Sequence, residues 1–374
     1  MVWRRDGYAS KSPCLSSLLL VLLLLLGAAA EGQEQKTRLL RDVVLGSGGH
    51  FQMWERDGQP KISEFSIPLV FIWPVSKKLS LDVVSGSGFA SLEEDTGSLS
   101  GLTDTKVRAS YIVGEEAALV TLGVSTPTGK TGLTKEEQAV SGALAQSALN
   151  FRTANFGQGL DVNVGVAMAR RAGEMVLGLG VGYLLKGEFT PGTGGEDYKP
   201  GSELNFTAGL DRKVMDGDGK VTLDAIYTAY SDDEQGGEKA FCSGNKILLQ
   251  GLVTLKASGL NWRFYAVDRI RGNSTRFTSG LEDEFSNGNQ LEAGLVVTKN
   301  VSAKLGVKGL LDFKVYADNE FERGEASVIS VGPGIRYKLG PGRFIDLSLK
   351  YGTGELDGDS ASGIEFGGGI WIRL

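Results

Sequence analysis

Apolar and polar side chains alternate along most of the chain after residue 45, most clearly between residues 159 and 189. In the first half of this stretch, every second position is apolar: Leu160, Val162, Val164, Val166 and Met168. After an Ala-Gly turn, the same spacing returns at Leu177, Leu179, Val181, Tyr183 and Leu185. Side chains of a strand alternate between the two faces of its sheet, so the stretch predicts a β-hairpin with one apolar face and one small or polar face.

The same pattern recurs along the chain and predicts sixteen strand-like arms separated by turn-forming residues. The arms lie at about residues 48–57, 62–73, 79–91, 103–113, 117–126, 158–171, 174–187, 202–213, 220–231, 245–257, 260–271, 288–299, 302–316, 326–339, 343–354 and 362–374. Fourteen strands is the alternative count, because the first two arms are the least regular.

The connections between the arms alternate in length from the second arm onward. The short connections are residues 74–77, 114–116, 171–173, 215–219, 258–259, 300–301 and 340–342. The longer polar ones are residues 93–102, 128–157, 190–201, 231–244, 272–287, 317–325 and 356–360. Tight turns at one end and longer loops at the other are typical of an outer-membrane barrel. Residues 58–61 break the rule, because this connection belongs to the outer set and is short.

An apolar sheet face of this extent needs either lipid or a second protein layer to cover it. In a soluble sandwich, residues such as Leu305, Phe313, Leu347 and Ile370 would pack into a shared interior, whereas in a barrel they would face lipid. Alternation does not separate the two architectures, but the alternating loop lengths favour the barrel. The predicted fold class is therefore all-β: a transmembrane up-and-down antiparallel β-barrel of about 16 strands, with one short helix in a long outer loop.

The N-terminal residues have the features of an export signal. Arg4 and Arg5 precede a short apolar run from residue 18 to residue 26, which is followed by an Ala-rich exit. The run is shorter than the ~20 residues that a spanning helix requires, so we predict a secretory signal peptide cleaved after Ala30. The predicted organisation is a signal peptide at residues 1–30, a short periplasmic arm at residues 31–45 and the barrel at residues 46–374.

One helix is expected, inside the long connection at residues 128–157. Thr134 and Glu137 have the spacing of a capping box, with Thr134 at the N-cap and Glu137 at the third helical position. Apolar residues follow at Ala139, Val140, Ala143, Leu144, Ala145 and Leu149. Such a loop either folds inward and narrows the lumen or lies on the outer rim, and the sequence leaves both open.

Charge and cysteine content limit the partners. Removal of residues 1–30 takes away three basic residues and one acidic residue and leaves 36 basic against 44 acidic residues, a net charge of −8. A nucleic-acid partner would require a basic surface, so none is expected. Cys242 is the only cysteine after residue 30, which excludes an internal disulfide in the mature chain.

Three short segments in the first half carry a resemblance to a known family. They are GLTDT at residues 101–105, STPTG at residues 125–129 and GQGLD at residues 157–161. Their order is similar to that in the MetA-pathway of phenol degradation family, whose members are considered outer-membrane transporters distantly similar to the long-chain fatty-acid channels. The resemblance covers residues 100–260 and implies passage of hydrophobic or aromatic small molecules. It supplies no binding residues.

Catalytic and metal-binding patterns are weak. His50 is the only histidine, and it lies among glycines where an activated serine and an orienting acid are not evident. The acidic turn from Asp216 to Asp224 resembles a calcium loop, but Val214 and Ala225 occupy its first and last ligand positions. An Asp-Gly hairpin turn explains it more simply. We therefore expect no enzyme activity, no cofactor and no metal.

The candidate functional residues are charged side chains on the face opposite the apolar one. The C-terminal arms carry a mainly basic set: Arg263, Arg269, Arg271, Lys304, Lys308, Asp312, Arg336, Lys338 and Lys350. Earlier arms carry an acidic set: Asp161, Glu203, Asp211 and Asp224. These residues would line a wet lumen and select solutes by charge and width. The basic set fits poorly with hydrophobic solutes, and a lumen closed by salt bridges is an alternative.

The sequence thus predicts an outer-membrane channel or transporter for small molecules by passive diffusion, in the bacterial outer membrane. The alternatives are a non-conducting structural or adhesive barrel and a secreted soluble β-protein that binds a ligand. The expected partners are outer-membrane lipid, the barrel assembly machinery and a small-molecule solute. Many barrels end in Phe for recognition by that machinery, whereas this chain ends in Leu374.

Overall fold

The computed structural model describes residues 42–374 except 94–96, 115–117, 146–148, 154, 279 and 321–324. The predicted signal peptide at residues 1–30 and most of the predicted arm at residues 31–45 lie outside the described residues. The end of that arm is corrected, because Val44 and Leu45 already belong to the first strand. The barrel therefore begins two residues before the predicted start at residue 46.

The described chain is built almost entirely of strands. In chain order they are β1 Val44–Arg56, β2 Ile62–Pro74, β3 Leu79–Leu92, β4 Gly97–Leu102, β5 Thr105–Val113, β6 Ala118–Thr126, β7 Asp161–Ala172, β8 Met175–Leu185, β9 Tyr198–Lys199, β10 Glu203–Val214, β11 Gly219–Tyr230, β12 Asp232–Gln235, β13 Glu238–Cys242, β14 Lys246–Ala257, β15 Leu260–Arg271, β16 Ser274–Thr278, β17 Leu281–Phe285, β18 Gln290–Asn300, β19 Leu305–Tyr316, β20 Ala326–Gly340, β21 Arg343–Leu356 and β22 Asp359–Arg373. Within the described ranges there is one α-helix, α1, at Lys135–Leu144.

Sixteen antiparallel strands close into a barrel. Each strand of the wall pairs with the next wall strand along the chain, and β22 pairs with β1 over their full length. The fourth strand is interrupted, because β3 pairs with β5 over one half and with β4 over the other. The prediction of an up-and-down antiparallel barrel with 16 strands is confirmed, and the alternative of fourteen is wrong.

Apolar side chains cover the outside of the barrel and remain exposed. On β19, Leu311 and Phe313 are 40% and 43% exposed, whereas Asp312 between them is 5% exposed. On β22, Ile370 is also 39% exposed. A soluble sandwich would bury these apolar residues against a second sheet, so that alternative is wrong. A charged side chain on a lipid-facing sheet costs about 2–4 kcal/mol at mid-membrane, which accounts for the alternation. None of the described helices has the length and apolarity to cross a bilayer.

The protein interior contains an apolar cluster near the end of the barrel that carries the long loops. Its described members from the wall are Trp54, Ile62, Ala90, Leu99, Ala326, Val328, Leu356 and Ala361. Val140 and Leu144 of α1 also belong to it and are fully buried. The predicted capping box is present: the Thr134 hydroxyl accepts from the Glu137 amide at 3.3 Å, and the Glu137 carboxylate accepts from the Thr134 amide at 3.1 Å.

The long outer loops contain a second sheet that the sequence analysis did not predict. Strands β9, β12, β13, β16 and β17 form five antiparallel neighbours outside the barrel wall. These strands are two to five residues long. They are rich in acidic and other polar residues, so they lack the apolar alternation that revealed the wall strands.

Candidate site in the barrel lumen

A segment of the longest loop lies inside the barrel. It follows α1 and is described at residues 149–153 and 155–158; we call it the inward loop. Glu64 of β2 is fully buried, and its carboxylate accepts hydrogen bonds from the amides of Arg152 at 2.8 Å and Thr153 at 2.6 Å. Gln52 of β1 donates to the carbonyl of Leu149 at 2.7 Å. The question left open by the sequence is thereby answered: the loop enters the lumen.

Apolar packing and backbone contacts hold the inward loop in place. Leu149, Phe151 and Phe156 are buried in the apolar cluster, and burial of each such side chain contributes about 1.5–3 kcal/mol. The ring of Phe156 lies over Gly88 of β3, where a Cβ atom would come within 3.0 Å of it. At the base of the loop, the Asp104 carboxylate accepts from the amides of Gly129 at 2.9 Å and Gln158 at 2.7 Å. These contacts fix the inward loop in one position inside the lumen.

The anchoring of α1 is expected to weaken in acid. Lys130 donates a hydrogen bond to Glu137 and thereby lowers the pKa of Glu137 below its usual value of 4.5, although burial opposes this. A depressed folded-state pKa means that the stabilisation is complete above the unfolded-state value and is lost as pH falls through the folded-state value. Amide hydrogen exchange of residues 135–144, corrected for its intrinsic pH dependence, should accelerate below about pH 4.5.

The matched control for this prediction is Glu137→Gln, since glutamine also completes a capping box and does not titrate. The variant should show exchange in the helix that is independent of pH over the same range. Equal acceleration in the two proteins would show that another group controls the helix.

Ionic side chains of several strands form one hydrogen-bonded network along the inner wall, from β15 to β1. The Lys350 ammonium lies 2.6 Å from the Asp312 carboxylate and 2.8 Å from that of Glu365. The His50 Nε2 atom lies 3.1 Å from the other oxygen of Glu365. The Tyr265 hydroxyl donates to Asp312. The network therefore joins β15, β19, β21, β22 and β1 along the inner wall.

Small residues allow these long side chains to lie flat against the wall. Tyr265 on β15 reaches Asp312 on β19 by crossing β18 at Gly294, where a Cβ atom would lie 2.4 Å from the tyrosine ring. Lys308 of β19 pairs with Gly334 of β20 and reaches Asp346 of β21 beyond it. Glycine at such positions leaves room for a neighbouring group.

A second group on the same wall consists of two basic residues and one acid. The Asp346 carboxylate forms ion pairs with Lys308 and Arg336. The Nη2 atom of Arg336 lies 2.6 Å from it. The predicted basic residues Lys308, Arg336 and Lys350 are therefore neutralised by acids on neighbouring strands. The C-terminal half of the wall is an ion-paired surface, and not a uniformly basic one.

The remaining basic candidates differ in their surroundings. Among the residues that the structure describes, no ion pair involves Arg263, Arg269, Arg271 or Lys338. The first three lie on the same face of β15 as Tyr265. Arg263 is exposed to the lumen. Lys304 requires a correction: it lies in the turn before β19 and not in the strand, because the Ser302 hydroxyl accepts its amide at 3.2 Å.

The acidic candidates are also largely partnered. The Glu203 carboxylate lies 2.8 Å from the Lys186 ammonium, and Asp211 lies 3.0 Å from Lys220. Asp161 is buried and accepts from the Gly187 amide at 3.2 Å. Asp224 lies across from Gly209 on the paired strand, on the same face as Asp211. Glu203 and Asp211 are therefore neutralised by lysines, and Asp161 is held by a backbone amide.

Several residues of this site were not among the candidates. They are Gln52, Glu64, His50, Tyr265, Asp346 and Glu365. His50 is 8% exposed in the lumen wall. The sequence did contain one signal for Glu64. It lies two residues after Ile62, so the alternation places this acidic side chain on the same face of the strand as an apolar one.

Within the described ranges, no group of three or more His, Cys, Asp or Glu residues is arranged to hold a metal ion. The acidic turn after β10 is a tight hairpin, in which Met215 and Asp216 have φ of 53° and 52°. This geometry agrees with the predicted hairpin turn.

Known proteins resemble this chain in fold and not in sequence. No protein-family model matches the chain, so the resemblance to the MetA-pathway of phenol degradation family is not confirmed. No curated protein matches it. The fold is similar to that of OprB from Pseudomonas putida, with 10% identity, a TM-score of 0.51 and coverage of 89% of this chain and 94% of that chain.

Two further solved structures are similar over comparable lengths. The outer membrane channel DcaP of Acinetobacter baumannii is 12% identical, with a TM-score of 0.45 and coverage of 92% of this chain and 100% of that chain. The monoaromatic hydrocarbon channel CymD is 12% identical, with a TM-score of 0.41 and coverage of 90% and 89%. The architecture of this chain is a closed antiparallel β-barrel with an apolar outer face.

Proposed function

We propose that this protein is an outer-membrane channel that admits small molecules by passive diffusion. The observation that carries the proposal is the inward loop, which Glu64 holds by two hydrogen bonds inside a closed barrel with a polar inner wall. A barrel that serves only as a surface scaffold has no need of a buried carboxylate to position a loop in its lumen. A loop fixed in this way sets the width of a pore, which is one of the two properties that select solutes.

The second property is the charge of the lumen. Lys308, Arg336 and Lys350 contribute little net charge because Asp312, Asp346 and Glu365 neutralise them. Arg263, exposed on the same inner wall, is the cation best placed to act on a passing ion. We therefore assign selectivity chiefly to the arginines of β15, with the ion-paired wall as a polar surface of low net charge.

The solute class that fits this lumen is small and polar. The family resemblance implied hydrophobic or aromatic solutes, which would require an apolar surface along the route. The apolar surface inside the barrel is occupied by Leu149, Phe151 and Phe156 of the inward loop. A solute that passes the described wall therefore meets hydroxyl groups, ion pairs and glycine backbone.

Ion selectivity provides the test. Purified protein in planar bilayers should give stable conductance steps, and Arg263→Glu should shift the reversal potential in a salt gradient toward greater cation preference. The matched control is Arg212→Glu, an identical change in charge on the outward face of β10. It should leave the selectivity unchanged.

Absence of conductance steps from correctly folded protein would reject the channel and favour the non-conducting structural or adhesive barrel.

The proposal also includes the bacterial outer membrane as the location and cleavage of residues 1–30 during export. Outer-membrane lipid and the barrel assembly machinery are the partners that this location requires.

A further inference from the structure

Charged side chains are rare on the outward face of the barrel, and their sign depends on the end of the barrel. On the wall strands that the structure describes, the outward charged residues beside the short turns are all basic, whereas those beside the long loops are all acidic. The basic residues are Arg170 on β7, Arg212 on β10, Lys299 on β18 and Arg343 on β21, and the acidic residues are Glu55 on β1, Asp268 on β15 and Glu355 on β21.

The four basic residues form what we call the short-turn rim, and each is in phase with outward apolar residues. Arg170 comes two residues after Met168, which is 43% exposed, and Lys299 pairs with Val307, which is 41% exposed. All four side chains are exposed. Among the residues placed by the structure, none of the four takes part in an ion pair. Their charges are therefore available to a partner outside the barrel.

Aromatic residues show where the short-turn rim lies relative to the membrane. Trp262 of β15 pairs with Val297, and Lys299 is the next outward residue of that strand toward the turn. Arg343 has the same relation to Tyr337 across the β20–β21 pair. Trp and Tyr side chains of barrels concentrate at the edge of the apolar belt, at the level of the lipid headgroups. Basic residues one outward position, about 7 Å, beyond them therefore lie among the headgroups.

Arg170 and Arg212 provide the most complete contact site on this rim. Both β7 and β10 pair with β8, so the strands that carry the two arginines are about 10 Å apart. Between them, β8 presents Met175 and Leu177, which pair with Arg212 and Arg170 respectively. An apolar floor between two guanidinium groups suits a lipid, because acyl chains contact the floor while the phosphate accepts hydrogen bonds from the arginines.

We propose that the short-turn rim binds anionic phospholipid, with Arg170 and Arg212 holding one headgroup phosphate from the two sides of β8. These arginines have no acidic partner in the protein, so a headgroup with net negative charge matches them better than a zwitterion. Asp268 and Glu355 repel such headgroups at the other end, so the charges also favour one orientation in a leaflet rich in anionic lipid. The inference rests on the membrane location within the proposed function and not on conduction.

The test counts bound lipids directly. Folded full-length chain in an uncharged detergent is titrated with phosphatidylglycerol or with phosphatidylcholine of the same acyl chains, and bound lipids are counted by native mass spectrometry. We expect the unmodified chain to bind phosphatidylglycerol more tightly. The double variant Arg170→Gln, Arg212→Gln should weaken this binding about fivefold for each arginine removed, because a basic residue near an anionic membrane surface contributes about 1 kcal/mol.

The matched control is the double variant Lys213→Gln, Lys338→Gln. It removes the same charge at the same end of the barrel, but from the inner face, because Lys213 adjoins Arg212 and Lys338 adjoins Tyr337 on alternating strands. The control should keep the preference of the unmodified chain for phosphatidylglycerol. Heat-dependent gel migration of every variant establishes that the barrel is folded before lipid is added.

The outcomes separate this inference from the channel proposal. A preference for phosphatidylglycerol that the outward variant loses and the inner variant keeps would support the lipid site, even if bilayers show no conductance. Equal binding of the two lipids by the unmodified chain would overturn it, even if the protein conducts. A preference that persists in the outward variant, or that both variants lose equally, would overturn it as well.

Discussion

Glu64→Ala is expected to increase single-channel conductance and its fluctuations. The carboxylate of Glu64 accepts the amides of Arg152 and Thr153 at 2.8 and 2.6 Å inside the barrel. Hydrogen bonds to a charged group contribute about 1.5–3 kcal/mol each, so the loss of both shifts the equilibrium between the docked and released loop by roughly a hundredfold or more. Release of the loop widens the lumen, and the current through individual channels in a planar bilayer records that change.

The control for this prediction is Glu203→Ala. Glu203 lies on the inner face of β10 and pairs with Lys186, and it makes no described contact with the inward loop. The substitution removes the same charge and should leave conductance close to that of the unmodified protein. An unchanged conductance in Glu64→Ala, with the barrel intact by heat-dependent gel migration, would mean that the loop does not limit the pore.

The second large effect concerns two adjacent residues of β19. Leu311 lies near the middle of the strand on the outer face, is 40% exposed, and pairs with the apolar residues Leu295 and Val331. An arginine at a lipid-facing position near mid-membrane costs about 2–4 kcal/mol. Leu311→Arg should therefore lower the free energy of unfolding by this amount, measured by guanidinium titration of protein in lipid vesicles with tryptophan fluorescence.

Leu310→Arg is the matched comparison, because it places the same side chain one residue earlier and on the inner face. Its side chain lies beside Gly334, so an arginine there can extend into the polar lumen. The loss should be clearly smaller than for Leu311→Arg. The reverse order would contradict the assignment of the two faces of this strand.

The wall of the barrel was predictable from sequence because it is repetitive. Lipid on one side and water on the other impose a period of two on every strand, and the ends of a barrel impose alternating loop lengths. The hairpin from Asp161 to Leu185 shows both features, and its strands form β7 and β8 as predicted. The capping box at Thr134 was also predictable, since it depends on residues three apart.

The contents of the lumen were not predictable, because they depend on contacts between distant segments. The contact of Glu64 with Thr153 joins residues 89 positions apart, and that of His50 with Glu365 joins residues 315 positions apart. The sequence shows Lys350 only as a basic residue, whereas in the structure two carboxylates neutralise its charge. The short outer strands were missed for a different reason: without an apolar face they carry no periodic signal.

If the apolar face of each wall strand contacts lipid and the other face contacts a wet lumen, neighbouring residues of one strand should differ in their contact with lipid. Single cysteines at Leu311 and Leu310, introduced with Cys242→Ser, can carry an environment-sensitive fluorophore in vesicles that contain brominated lipid. Strong quenching at position 311 and weak quenching at position 310 is the predicted result. Equal, weak quenching at both positions would contradict the barrel in a membrane and every proposal that depends on it.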